Sequence, residues 1–158
     1  MSANRCFDEI EYLNVDILGM KGKSRVITVP ADIQKLWNDV RVILRNPVIA
    51  RYELKEDIQL GKKAGITALC EYSLLSDNEY PTYAITKKEI TESGIRKMKQ
   101  VHSGEEIGCV VLELGYFIDF KNKKLEDPLS VTLSLTESEK QDERIGISIK
   151  RMLEEYVW

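Results

Sequence analysis

The sequence is poor in the residues that bind metals or form covalent bridges, with three cysteines and one histidine among 158 residues. Cys6, Cys70 and Cys109 lie far apart, and no two of them form a CxxC pair. An odd number of separated cysteines is typical of buried thiols in a reducing compartment. With His102 as the single histidine, the set is also too small for an ordinary zinc site. The sequence therefore predicts neither a disulfide framework nor a bound metal.

Long hydrophobic runs are also missing. No apolar stretch approaches the roughly 18 residues that a membrane-spanning helix requires. Asp8, Glu9 and Glu11 lie where a signal peptide would have its apolar core. We therefore expect a cytoplasmic protein with no membrane partner.

The common catalytic motifs are absent as well. The sequence contains no P-loop, no GxGxxG and no GxSxG. A Ser–His or Cys–His mechanism would need His102, which lies in the polar stretch KQVHSGEE and is expected to be an exposed loop residue. We expect no enzyme and no cofactor.

One catalytic alternative stays open, a divergent metal-dependent nuclease. Such a site needs two acids and a lysine that converge at strand ends. The carboxylates near candidate strands are Glu71, Glu113, Asp119 and Asp127. The nuclease hypothesis uses Glu113, Asp119 and Lys121, although the usual Asp…Glu-x-Lys order is missing.

The composition favours a packed core, because 43% of the residues are hydrophobic and 31% are charged. Helical and strand patterns alternate without regular βαβ units, which predicts an α+β fold with a small mixed sheet packed with helices. The predicted strands are 48–54, 82–86 and 106–120. The predicted helices are 30–45, 64–76, 137–158 and a polar, irregular one within 87–100. The segment 128–135 is predicted as strand or short helix, with strand favoured by its β-branched residues.

The first 29 residues have a pattern of their own. Ser2 can cap a helix, and an apolar stripe of helical period follows it: Cys6, Phe7, Ile10 and Leu13. Two β-prone runs come next, joined by GMKGKS, whose glycines permit a tight turn. The sequence thus predicts a helix followed by a hairpin with a basic tip, formed by Lys21, Lys23 and Arg25.

A helix followed by a basic hairpin is the arrangement of a winged helix. There the helix presents its first residues to base edges in the major groove, and basic wing residues contact phosphates. Ser2, Asn4 and Arg5 would lie in that first turn. Residues 1–63 carry a net charge of +2 and the remainder −5, so the basic end coincides with this element. An ordinary amphipathic helix with a solvated turn explains the same pattern.

A family resemblance favours the winged helix. The segment SANRCFDEIEYLNV resembles the recognition helix of winged-helix transcriptional regulators, which reads S-x-x-R-x-φ-x-x-φ-x-x-L. The rest of the chain is similar to a family of bacterial regulators whose C-terminal domain resembles abortive-infection antitoxins of type IV toxin–antitoxin systems. The similar segments are LWNDVRVILRNPVIARYEL, AGITALCEYSLLSDNEYPTYAI, EDPLSVTLSL and DERIGISIKRMLEEYVW.

The resemblance implies a partial winged helix in residues 1–29 and an α+β antitoxin-like or partner domain in residues 30–158. It implies a non-enzymatic DNA-binding transcriptional regulator, with DNA, a cognate toxin or a second copy as partners. The helices that brace a recognition helix do not precede Ser2. The chain is thus expected to be a fragment, to have a start codon assigned too late, or to have lost DNA binding. The alternative function is a protein-interaction module that does not bind DNA.

Overall fold

The computed structural model describes residues 16–21, 24–28, 33–41, 44, 46–76, 78–115 and 124–158. The chain forms two compact units, one of residues 1–45 with Trp158 and one of residues 46–157. The architecture is α+β, with a mixed four-stranded sheet and about six helices, which confirms the predicted α+β class, whereas the partial winged helix stays a prediction. The predicted domain boundary at residues 29 and 30 stays a prediction.

The first unit contains the predicted β-hairpin. Strands β1 (Asp16–Lys21) and β2 (Ser24–Thr28) pair antiparallel, and only two residues connect them. The register shifts once, between Ile17 and Gly19. Helix α1 (Ile33–Val40) follows, and its Trp37 side chain is buried. The helix predicted between Ser2 and Leu13 lies outside the described residues.

The second unit is built on the four-stranded sheet. In chain order its strands are β3 (Val48–Leu54), β4 (Lys62–Lys63), β5 (Thr82–Thr86) and β6 (Cys109–Leu114). Their spatial order is β3-β6-β5-β4, with β5 and β6 parallel and the two outer pairs antiparallel. A parallel pair requires a crossover connection. Helix α3 (Lys87–Ser93) and the 3₁₀ turn Ile95–Lys97 lie in that connection.

Both faces of the sheet are covered, so every residue of the central strand β6 is buried. One core contains Leu54, Ile85 and Val111 together with Ile90 and Ile95 from the crossover. The core on the opposite face contains the buried residues Ala64, Ala84, Val110, Leu112 and Leu114. Strands buried on both faces have continuous apolar runs, which explains why CVVLEL lacks alternation.

Helices α2 (Gly65–Tyr72), α4 (Pro128–Ser134) and α6 (Glu143–Tyr156) pack against one another, and α2 also packs against β5. The short helix α5 (Glu137–Lys140) precedes α6. No helix in the described part of the chain has both the length and the apolar character that crossing a membrane demands.

The preference for a strand at residues 128–135 is wrong, because this segment forms α4. The Asp127 side chain caps the helix by accepting a hydrogen bond from the Ser130 backbone N–H at 2.9 Å. Pro128 follows in the first turn, where its missing N–H costs nothing. The Thr132 hydroxyl donates to the Pro128 carbonyl at 2.9 Å. The cap and the proline therefore override the β-propensity of the segment.

The predicted terminal helix is also two helices rather than one. Thr136 forms a capping box with Glu139 at the start of α5, and Asp142 caps the start of α6. Two caps six residues apart break the helical run. Ile145, Met152 and Leu153 of α6 are buried and Ile149 is half-buried, whereas Tyr156 is exposed and contacts the Tyr72 ring edge-on.

Gly61 allows the close approach of the loop before β4 to β5. Its φ is +82°, and a Cβ there would meet Ile85 and lie 2.5 Å from the Ala84 carbonyl oxygen. Gly104 has a similar φ of +86° but faces open space. We expect Gly104→Ala to cost about 1 kcal/mol of unfolding free energy from backbone strain alone. Gly61→Ala should cost about 3 kcal/mol because a steric clash adds to the strain.

Urea unfolding of both variants, followed by circular dichroism, checks this prediction. Equal losses for Gly61→Ala and Gly104→Ala would show that backbone strain accounts for both and that the approach to β5 is not tight.

Candidate functional site

The structure describes two of the six predicted DNA-binding residues, Lys21 and Arg25. Lys21 is the last residue of β1 and pairs with Ser24, the first residue of β2. Arg25 pairs with Met20 in the next position of the ladder. Both basic residues thus lie at the tip of the hairpin, on either side of its two-residue connection. The predicted contacts Ser2, Asn4, Arg5 and Lys23 lie outside the described residues.

The four carboxylates considered for a nuclease site have separate local roles or lie outside the described residues. Glu71 pairs with Lys63, and Asp127 caps α4. Asp119 and Lys121 are outside the described residues. Within the described ranges, no group of three or more His, Cys, Asp or Glu side chains is placed to hold a metal ion.

Glu113 forms a polar cluster with Tyr52 and Arg96 near the carboxyl end of β6. Its side chain is 4% exposed and accepts a hydrogen bond from the Tyr52 hydroxyl at 3.0 Å. A guanidinium nitrogen of Arg96, itself half-exposed, lies 3.6 Å from the same carboxylate oxygen. Arg96 also donates to the Tyr52 hydroxyl at 3.4 Å. The buried charge is therefore paired and hydrogen-bonded, as a structural carboxylate must be.

The two thiols and the histidine that the structure describes have ordinary surroundings. The Cys109 thiol is buried and donates to the Glu56 carbonyl at 3.2 Å, and burial raises its pKa. Cys70 is half-buried, and Cys6 lies outside the described residues. His102 is exposed in its loop, as predicted.

The most unusual carboxyl group is that of Glu126, which the sequence does not single out. It is 1% exposed, and its Oε2 accepts hydrogen bonds from the Gly65 backbone N–H and the Ser134 hydroxyl, both at 3.2 Å. Its Oε1 is buried without a hydrogen-bond partner among the described residues. Because Gly65 begins α2 and Ser134 ends α4, the carboxyl group links these two helices.

Burial raises the pKa of the Glu126 carboxyl from its ordinary value of 4.5 to about 7, since a charged carboxylate is poorly stabilised in the core. The negative charge of Asp127 acts in the same direction, whereas the bonds from Gly65 and Ser134 and the charge of Lys62 oppose it. Glu126 therefore changes its charge near neutral pH while it remains inside the fold.

This titration predicts a pH-dependent stability. Between about pH 4.5 and pH 7 the folded chain holds a proton on Glu126 that the unfolded chain has released. The free energy of unfolding should therefore fall as the pH rises through this window. Glu126→Gln keeps a neutral side chain at every pH. Above pH 7 its free energy of unfolding should therefore exceed that of the wild type by at most roughly 3 kcal/mol.

Denaturant unfolding of the wild type and of Glu126→Gln from pH 4 to pH 8 gives the difference in their free energies of unfolding directly. Glu56→Gln, which removes an exposed carboxylate, serves as the matched control and should leave the pH profile of the wild type unchanged. A constant difference between Glu126→Gln and the wild type across the range would contradict the buried titration.

A groove lies between the start of α6 and the segment that follows α2. We call it the α6 groove and define it by Leu74, Leu75, Arg144, Ile147, Ser148 and Arg151. Its volume is about 250 Å³, and a second depression of about 230 Å³ shares Leu75 and Arg144 with it. Leu74 is 85% exposed and Ile147 is 57% exposed. Because both side chains line one groove, this surface is a candidate interaction site.

The groove is not among the features predicted from the sequence, although the sequence carries a signal of it. Ile147 lies off the inward stripe of α6, where a polar residue is expected, and the Leu74–Leu75 pair follows the end of α2.

Comparisons of the chain with models of known protein families, with curated proteins and with solved structures find no match.

Proposed function

We propose that this chain is a non-enzymatic DNA-binding transcriptional regulator with an antitoxin-like partner domain. The hairpin contacts DNA, and the second unit binds a protein partner. The observation that carries the proposal is the hairpin register, which brings Lys21 and Arg25 to the tip on either side of a connection that includes Lys23.

The physical basis is the charge of DNA. A hairpin lying along the duplex needs cations at its tip, because contacts to phosphates set its position and contribute affinity that depends on salt. The net charge of +2 over residues 1–63 supports this role, since the rest of the chain is acidic and would be repelled by DNA. Base recognition is assigned to Ser2, Asn4 and Arg5 on the resemblance to recognition helices.

The second unit has the features expected of a partner domain. Its sheet is covered on both faces, so its exposed apolar residues are not required by the core. The resemblance to abortive-infection antitoxins suggests a cognate toxin as the partner, and a second copy of the chain is the other candidate.

A protein-interaction module that does not bind DNA is the second candidate function. The α6 groove favours it, because this surface lies wholly in the second unit and does not depend on the hairpin.

The proposal predicts salt-dependent binding to the DNA upstream of the chain's own gene. We expect replacement of Lys21, Lys23 and Arg25 by Ala to weaken binding and to lower the slope of log affinity against log salt by about 3, about one for each lost phosphate contact. Fluorescence anisotropy with labelled promoter DNA, in a series of salt concentrations, measures both quantities for the full chain.

The matched control replaces Lys87, Lys97 and Lys99 by Ala, which removes three exposed positive charges from the second unit. This control should retain the wild-type slope. If the two triple variants lose affinity equally, the effect is one of net charge and the hairpin has no specific role. If the wild-type chain binds neither promoter nor unrelated DNA, the interaction module becomes the better account.

A further inference from the structure

We propose that the α6 groove binds an acidic amphipathic helix of the partner protein. This inference rests on the partner-binding part of the proposed function and names the chemistry of that partner. It is independent of the hairpin, because every residue that carries it lies in the second unit.

The apolar lining of the groove, which we call its floor, consists of Leu74, Leu75 and Ile147. Leu74 and Ile147 are two of the five large hydrophobic residues that are exposed in the described part of the chain. Half-buried Leu75 lies beside them. A cavity of about 250 Å³ above these side chains accommodates one or two side chains the size of leucine. An apolar anchor from the partner would therefore remove both exposed side chains from water.

Arginines flank this floor at both ends. Arg144, Ile147, Ser148 and Arg151 have the spacing i, i+3, i+4 and i+7, so they form one stripe along α6. The two arginine Cα atoms are roughly 10 Å apart along the helix axis. A partner helix with carboxylates seven residues apart and an apolar residue between them has the same spacing. Charge and shape are thus complementary to an acidic helix.

The two arginines differ in how they are held. The Arg144 guanidinium donates to both carboxylate oxygens of Asp142, at 3.4 and 3.0 Å, which fixes its direction and offsets part of its charge. Arg151 is exposed on the next turns of α6. The acidic neighbours Glu139 and Asp142 lie at the Arg144 end, in the adjoining depression. We therefore assign the main ionic contact to Arg151.

A helix fits this site better than an extended segment. The residues that line the groove belong to α6 and to the turn after α2, and none of them belongs to a strand whose backbone could pair with the partner. Recognition must therefore use side chains, as in complexes where an amphipathic helix lies in a groove.

The test uses a fluorescein-labelled 15-residue peptide with leucines at helical spacing, two glutamates seven residues apart on the same face and alanines elsewhere, titrated with the full chain. We expect saturable binding that weakens with added salt. Ile147→Asp and Arg151→Glu should each weaken it at least tenfold. A peptide with glutamine in place of every glutamate should bind the wild type at least fivefold more weakly and should be indifferent to Arg151→Glu.

Two matched variants control for surface changes elsewhere. Ile49→Asp alters an apolar residue of equal exposure, 58% against 57% for Ile147, and Lys150→Glu reverses a charge on the same helix outside the groove. Both should bind the acidic peptide within twofold of the wild type. Circular dichroism and thermal unfolding establish that all four variants are folded.

Several results would overturn the inference. These are absence of saturable binding, equal losses in the control and groove variants, or equal affinity for the glutamine peptide. Sedimentation that shows a dimer which Ile147→Asp dissociates would assign the groove to a second copy instead.

Promoter binding measured on the same variants separates this inference from the proposed DNA-binding role. Intact DNA binding without peptide binding overturns this inference alone, and peptide binding without DNA binding overturns only the DNA-binding role.

Discussion

The second unit depends on the burial of β6 on both faces. This strand pairs parallel with β5 and antiparallel with β3, so it is the common element of the sheet. Among the helices, α3 contacts this strand directly, and α2 packs against its neighbour β5. Because all six of its residues are buried, a polar group in this strand requires a partner. Tyr52 and Arg96 are the partners of Glu113. Their contacts allow a charged residue to lie in a buried central strand.

The second constraint is the link between α2 and α4. Glu126 reaches the first residue of α2 and the last residue of α4 with one carboxylate oxygen, and its backbone carbonyl accepts a hydrogen bond from Tyr72 at 2.8 Å. These contacts fix the two helices against which α6 packs. The direction of α6 in turn determines which of its faces remains exposed. The arrangement of the groove thus follows from a buried acid some distance along the chain.

Local patterns predicted most of the elements but not the environments of their side chains. The segment 48–54 was predictable as a strand from its partial alternation, and the segment 82–86 from its β-branched and aromatic residues. The same kind of residue, Val131 and Thr132, led to a wrong strand prediction at 128–135. There the Asp127 cap acts on the whole segment, whereas propensity acts on single residues. The burial of Glu126 could not be predicted, since an acid beside a helix cap, two residues before a proline, is normally solvated. The exposure of Ile147 could not be predicted either, because it depends on packing between distant segments.

The proposed function places the DNA contacts on the hairpin and the partner contacts on the second unit. Photochemical crosslinking tests most directly which of the two units contacts DNA. The measurement is ultraviolet crosslinking of the full chain to its promoter DNA, followed by mass spectrometry of the crosslinked peptides. Crosslinks are expected within residues 1–28, which contain the hairpin and the residues proposed to read the bases. Crosslinks confined to residues 46–157 would contradict the proposed function, because the acidic second unit would then be the surface that binds DNA.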